Sequence, residues 1–367
     1  LLKNLTLIIM KNWLSVIKNW LVRIGSAKFV SAGFVRFGNV LFWITFALLS
    51  VGALWYAGAF FRAFDVPAYA AWTAVVTLVV LLAASLFFWR LLPLAALLEL
   101  TVFVWFYSIT PQERFRGTVW QRPWQRTFQV RRLDDGQFEL YNVRDFRYRS
   151  EHDYEVRYRT LRVVPDQISS IDAVFSHWDN MVEIAHSLLG LNFSDGTTIV
   201  ISLETRLPKG AEQNAVDGFY HRYELAMLAG TPEDFYGLRA DHRGETLYVF
   251  RLDVNHDTLR GMTLSVFERA AELQRKPKFY NSLFRNCTTG LLPMLPGADR
   301  LLKGDFRLTL NGLAPGLLFE KKLLACREGE SYGSLRSRSL VPGLCLGKNA
   351  PVTHYRGESE TRWLRKR

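Results

Sequence analysis

A cysteine with polar neighbours, Asn286-Cys287-Thr288-Thr289, stands where a polar loop (Tyr280 to Arg285) runs into the apolar stretch that starts at Gly290. A sulfur at such a point becomes a nucleophile when a helix N-terminus or an imidazolium stabilises its thiolate. Asn286, Thr288 and Thr289 are capping-type residues, and Leu291 to Leu302 reads as a helix broken at Pro293 and Pro296. Far upstream, Ala185-His186-Ser187-Leu188 places a histidine in a strand-like setting. The chemistry the pair offers is attack of sulfur on an ester or amide carbonyl, with the imidazole moving the proton. A cysteine of this kind taken alone is more often a packing residue. A histidine with an acid opposite it tips the reading toward chemistry.

That acid comes from the elements that must position the histidine. Val182 to Phe193 and Thr197 to Arg206 are β-rich and joined by Ser194-Asp195-Gly196. A three-residue loop ending in a left-handed glycine pairs Phe193 with Thr197. His186 then lies opposite Glu204, with Cβ atoms roughly 5 Å apart on one face. A two-residue loop would pair His186 with Thr205 instead. In the first register Glu204 holds the imidazole tautomer and stabilises its cation. Asn286, Thr288 and Arg206 are supporting candidates, and backbone N–H groups at the start of the helix after Cys287 are the expected oxyanion donors.

The other reactive side chains have plainer settings. Cys326 lies on an expected amphipathic helix and Cys345 in a basic tail; three cysteines form no disulfide framework. Among the seven histidines, His177, His242 and His256 lack ligands at metal spacing, while His152 and His221 read as surface residues. Neither metal nor cofactor is expected. Gly329-Glu330-Ser331-Tyr332-Gly333 matches a nucleophile elbow, but no buried strand precedes it.

In the chain of 367 residues nearly all long apolar runs precede Thr110. Residues 1–37 mix lysine and arginine with Leu, Ile and Trp, as a basic amphipathic segment on the cytoplasmic membrane surface does. Met10 is a candidate start, and no cleavage site for a leader is apparent. Three apolar helices follow, about 40–61, 70–89 and 91–109, forming a membrane anchor over 38–110. The third carries Pro93 and Glu99, and a re-entrant helix is its alternative. Glu99 is costly in a bilayer and is expected to face other helices. Cations before Val40 stay inside, so three spans place the chain after Pro111 on the outer face. The net charge of +12 suits anionic lipid headgroups, whereas no basic stripe with stacking aromatics points to nucleic acid.

Beyond Pro111 the pattern is α+β. Strands are expected at Thr127–Val130, Phe138–Val143, Tyr154–Tyr158 and Glu245–Leu252. Helices are expected at Ile168–Asp179, Gly218–Ala229, Asp257–Arg275 and Pro315–Arg327. Residues 111–330 make one domain and 331–367 a basic, disordered tail.

Several segments together resemble the Lnb N-terminal periplasmic domain family of bacterial membrane proteins. They are Trp105-Phe106-Tyr107-Ser108-Ile109-Thr110-Pro111, Asn142-Val143-Arg144-Asp145-Phe146-Arg147-Tyr148, Ala185-His186-Ser187 with Ser202-Leu203-Glu204-Thr205-Arg206, Arg222-Tyr223-Glu224-Leu225, and Asn286-Cys287-Thr288-Thr289. The likeness runs from roughly the first span to about Leu302, and the chain past about Leu340 does not look like the family. The resemblance implies a circularly permuted papain-like (NlpC-type) domain with an antiparallel sheet, in which histidine precedes cysteine as in lecithin:retinol acyltransferase. It implies a multi-pass protein of the bacterial inner membrane with its main domain in the periplasm. The family's named member is a lipoprotein N-acyltransferase, so phospholipid and lipoprotein are the implied substrates. A periplasmic cysteine hydrolase (cell-wall amidase or peptidase, or thiol lipase) and a non-catalytic membrane scaffold are the alternatives. An apolar groove favours acyl chains and a polar cleft favours peptidoglycan.

Overall fold

The computed structural model describes residues 32–64, 66–178, 181–294, 302 and 304–341. Two compact units meet in sequence between Ser108 and Ile109. Of the basic stretch 1–37, only 32–37 are described, and they belong to the first helix; the rest lies outside the described residues.

The first unit holds α1 (Ala32–Gly58), which continues as a wider turn over Ala59–Ala63, α2 (Ala68–Ser85) and α3 (Leu92–Ser108). The segments Asn39–Ala63, Ala68–Ser85 and Trp89–Ser108 are each long and apolar enough to cross a membrane. Leu48, Val51, Leu54, Val79 and Val80 point outward, as lipid-facing side chains do. Glu99 faces inward: a Cβ on Gly52 would stand 2.3 Å from its Oε2, so the missing side chain makes room for the carboxyl. Trp55 packs on Phe103 and Phe106 with ring centroids 5.5 and 5.3 Å away.

The second unit is built on a nine-stranded sheet. Its strands are β1 (Gln129–Arg132), β2 (Phe138–Arg144), β5 (Tyr158–Val163), β6 (Ile168–His177), β7 (His186–Phe193), β8 (Thr198–Arg206), β9 (Glu224–Gly230), β10 (Thr246–Arg251) and β11 (Leu340–Val341). The spatial order is β1-β2-β9-β8-β7-β6-β10-β11, with β5 beside β2. β3 (Arg147–Tyr148) and β4 (Tyr154–Glu155) form a separate ribbon. The sheet is mixed: β2 and β9 run parallel through Arg144↔Gly230, against the expected all-antiparallel arrangement.

The β7–β8 hairpin has the register the three-residue turn predicts. Leu188 pairs with Ser202 and Asn192 with Thr198, Phe193 N–H donates to Thr197 O (2.8 Å), and Gly196 has φ +82°. Alternation then separates two faces. Leu189, Leu191, Ile201 and Leu203 pack on Val266 and Phe267 of the helix His256–Arg275. On the other face Leu188, Val200, Ala226 and Leu228 pack on Phe235 and Tyr236. That second layer comes from a short helix, Pro232–Gly237.

Three expectations are corrected. Ile168–Asp179 is not a helix: β6 lies between β7 and β10 and is buried on both faces, which erases the alternation that marks a strand. Gly218–Ala229 is a single 3-10 turn (Asp217–Phe219) and then β9, whose Glu-Leu-Ala-Met-Leu-Ala prefers helix until seven paired residues on β8 override it. The segment 331–341 is not disordered. Ser331 caps the helix Tyr332–Arg338, Leu335 is buried, and β11 pairs with β10. Residues 342–367 lie outside the described ones.

Candidate functional site

Cys287 lies in a tight turn rather than at the start of an α-helix; only one 3-10 turn (Leu292–Met294) follows before the described residues break off. Asn286 builds that turn. Its Oδ1 accepts from the N–H groups of Thr288 (2.9 Å) and Thr289 (2.8 Å), and its Nδ2 donates to Ser282 O (3.0 Å). Gly290 lets the turn press on β8, since a Cβ there would stand 2.7 Å from Leu203 Cδ1. Thr288 Oγ1 meets Ser187 Oγ at 2.6 Å. Asn286 and Thr288 therefore hold the turn in place, and of the backbone N–H groups expected as oxyanion donors those of Thr288 and Thr289 are already used.

The sulfur itself is buried. It takes a hydrogen bond from Asn311 Nδ2 (3.3 Å) and lies 3.9 Å from Thr288 Oγ1 and 4.0 Å from Ala185 O. Burial pushes its thiol up, and the backbone N–H of Ser187 and the Thr288 side chain only partly offset this. The lowered thiol that a helix N-terminus would give is absent.

His186 opens β7 on the face with Ser202 and Glu204. Its Nε2 is 2.7 Å from Ser202 Oγ, which donates its one proton to Glu204 Oε1 (2.9 Å). Nε2 must then carry the hydrogen it gives to Ser202, which leaves the lone pair of the neutral ring on Nδ1. Glu204 also accepts from Trp124 Nε1 (2.8 Å) and pairs with Arg239 (3.2 Å). Burial, then Arg239, drive the imidazole down to about 3, against the pull of Glu204. Burial opposes the Glu204 carboxylate most strongly, yet Arg239, Arg144 and the Trp124 N–H together outweigh it and hold the group below the usual carboxylate range. Imidazole and thiol are thus both neutral near pH 7.

His186, Glu204 and Cys287 line one cavity of about 560 Å³, together with Trp124, Arg239 and Tyr280. Both reactive groups border it, the sulfur beside the backbone of Ala185 and Ser187 and the imidazole beside Ser202. Ser187, not His186, points toward the cysteine turn, and among the described residues no hydrogen bond joins Sγ to the imidazole. Arg206 is elsewhere: it pairs with Glu224 (2.8 Å), donates to Trp124 O (3.0 Å) and stacks on Trp120.

Sequence reasoning missed Asn311, Ser202, Trp124 and Arg239. Ser202 was within reach of the hairpin register, being two residues from Glu204 on the same face. Asn311-Gly312 is a turn dipeptide, but nothing local ties it to Cys287. The elbow-like Gly329–Gly333 is a helix cap, in which Ser331 Oγ accepts from Ser334 N–H (3.3 Å). Cys326 is exposed. Among the described residues no three His, Cys, Asp or Glu side chains cluster as metal ligands would.

The model of the Lnb N-terminal periplasmic domain family matches residues 154–314. That range contains His186, Glu204, Cys287 and Asn311, and excludes the segments around Trp105 and Asn142. No curated protein and no solved structure matches the chain. Family and apolar helices together describe a membrane protein with a periplasmic domain.

Proposed function

We propose, taking residues 154–314 as an Lnb N-terminal periplasmic domain, that the protein is a multi-pass cysteine acyltransferase of the bacterial inner membrane. Its domain is read as permuted papain-like, and it moves an acyl chain from phospholipid through a Cys287 thioester to an amine, such as a lipoprotein N-terminus. The observation that carries this is the shared cavity, with a buried thiol on one wall and, on the other, an imidazole backed by Ser202 and Glu204.

In this reading Nδ1 of His186 takes the proton of Cys287, and sulfur attacks the ester carbonyl. No hydrogen bond joins the two groups among the described residues, so the proton crosses by one water or after rotation of the cysteine side chain. The imidazolium is stabilised by the carboxylate of Glu204 through the Ser202 hydroxyl. It returns the proton to the leaving lysophospholipid oxygen. An amine then attacks the thioester, its proton passing by way of His186 to the departing sulfur.

The test uses the full chain in detergent with isotope-labelled phospholipid and no acceptor. A hydroxylamine-labile acyl group is expected on the Cys287 peptide and none in Cys287→Ala. An adduct of equal amount in that variant contradicts the reading.

The cavity wall favours a second reading. Arg144, Glu151, Arg243 and Glu245 line it beside the residues already named, a charged surface suited to a polar peptide. A cell-wall amidase or peptidase with the same thiol would cleave peptidoglycan fragments and leave phospholipid untouched. A scaffold would do neither.

A further inference from the structure

Of the side chains around the sulfur, Asn311 approaches it most closely, at 3.3 Å against 3.9 Å for Thr288 Oγ1. It is buried, and its orientation is not arbitrary. The backbone N–H of Ala185 can only donate and meets Oδ1 at 2.8 Å, so Nδ2 must turn toward Cys287. One carboxamide thus joins the sulfur to the residue immediately before His186. The 3-10 turn Asn311–Leu313 that carries it is pressed onto the loop leading into β7. Gly312 N–H donates to Glu183 O (2.9 Å), and a Cβ on Gly312 would stand 2.1 Å from Val182 O. Only glycine permits that approach.

The sulfur also has the Ser187 backbone N–H and the Thr288 side chain beside it, but two other nearby donors are largely committed. Thr288 and Thr289 spend their N–H groups on Asn286. Nδ2 of Asn311 carries two hydrogens, and among the described residues its one hydrogen-bond acceptor is Sγ. A neutral N–H donor favours an anionic sulfur over a protonated one. The oxygen of a carbonyl under attack by that sulfur develops its charge close by, within reach of the second hydrogen.

We propose that Asn311 is a catalytic residue of this site, whose carboxamide stabilises the Cys287 thiolate and then the oxyanion formed on the attacked carbonyl. The assignment rests on Cys287 being the nucleophile, but its first half can be tested without any substrate. The decisive variant is Asn311→Asp, which keeps an oxygen for Ala185 N–H and replaces the donor at sulfur by an acceptor.

Alkylation of Cys287 by iodoacetamide is followed against pH by peptide mass spectrometry on the detergent-solubilised full chain, with Cys326 as internal control. Asn311→Asp and Asn311→Ala are each expected to slow labelling of Cys287 roughly tenfold near pH 7.5 and to move its midpoint up by about one pH unit, Cys326 being unchanged. A purely structural role predicts that Asn311→Asp labels like the unsubstituted chain, and that result overturns the proposal. Should either variant fail to fold, the unsubstituted chain decides. With 15N-labelled asparagine, the side-chain amide of Asn311 is expected to shift as Cys287 titrates, and a resonance indifferent to that titration refutes the assignment. Absence of an acyl adduct with phospholipid, alongside a normal alkylation shift, would remove the acyltransferase reading and leave the donor role standing.

Discussion

The two faces of β7 carry polar groups of opposite character. Around Cys287 the contacts are neutral: the Asn311 carboxamide, the Thr288 and Ser187 hydroxyls and backbone. Around His186 they are ionic, with Glu204, Arg239 and Glu245 in a chain; Arg239 Nε lies 4.0 Å from Glu245. Burial keeps both reactive groups uncharged, but by different means. The thiol is short of charge-stabilising partners, while the imidazole sits beside an arginine that resists its protonation. The two environments meet in one cavity.

That asymmetry sets the size of each perturbation, read as unfolding of the full chain in detergent. Glu204→Ala on the ionic face removes the nearer carboxylate of Arg239 and the acceptor of Trp124 Nε1, and is expected to cost about 3–5 kcal/mol. Less severe is Gly312→Ala, where the new Cβ meets the Val182 carbonyl; overpacking of this kind costs roughly 3 kcal/mol. A loss of stability in either variant no larger than that of a surface substitution would break the account of that face.

pH sharpens the contrast. His186 has a folded value of about 3, and its unfolded value is about 6.5. Between them the unfolded chain binds the extra proton, so the stability this group confers is complete above the unfolded value and is lost as pH falls toward the folded one. From pH 7 to pH 5 this one group should remove about 2 kcal/mol, and His186→Asn should flatten the profile by that amount. Equal slopes in the two proteins contradict a buried neutral imidazole. On the thiol face Ser187→Ala removes one neutral hydrogen bond, for about 1 kcal/mol, and should leave the pH profile unchanged.

Much of the histidine side was legible in the sequence because it is local. Ser194-Asp195-Gly196 fixes the hairpin register, and the register puts His186 and Glu204 on one face. The three apolar helices and the helix His256–Arg275 are equally local in origin, set by length, hydropathy and periodicity. What escaped is what the tertiary structure decides. β9 has the composition of a helix and becomes a strand through its pairing with β8. Among the described residues after Cys287 the chain makes a turn and a 3-10 element that contains Pro293; 295–301 lie outside them. Asn311 reaches the sulfur only because Gly312 allows two distant loops to touch.

The central claim is that thiol and imidazole, though not hydrogen-bonded to each other among the described residues, act on one proton. Single-turnover acylation of Cys287 by labelled phospholipid, compared between the unsubstituted chain and His186→Asn, measures this directly. The account predicts a rate about 10²–10⁴ lower in the variant, the range general-base catalysis supplies. Acylation at an undiminished rate would show that the imidazole takes no part and that the shared cavity has no chemical meaning.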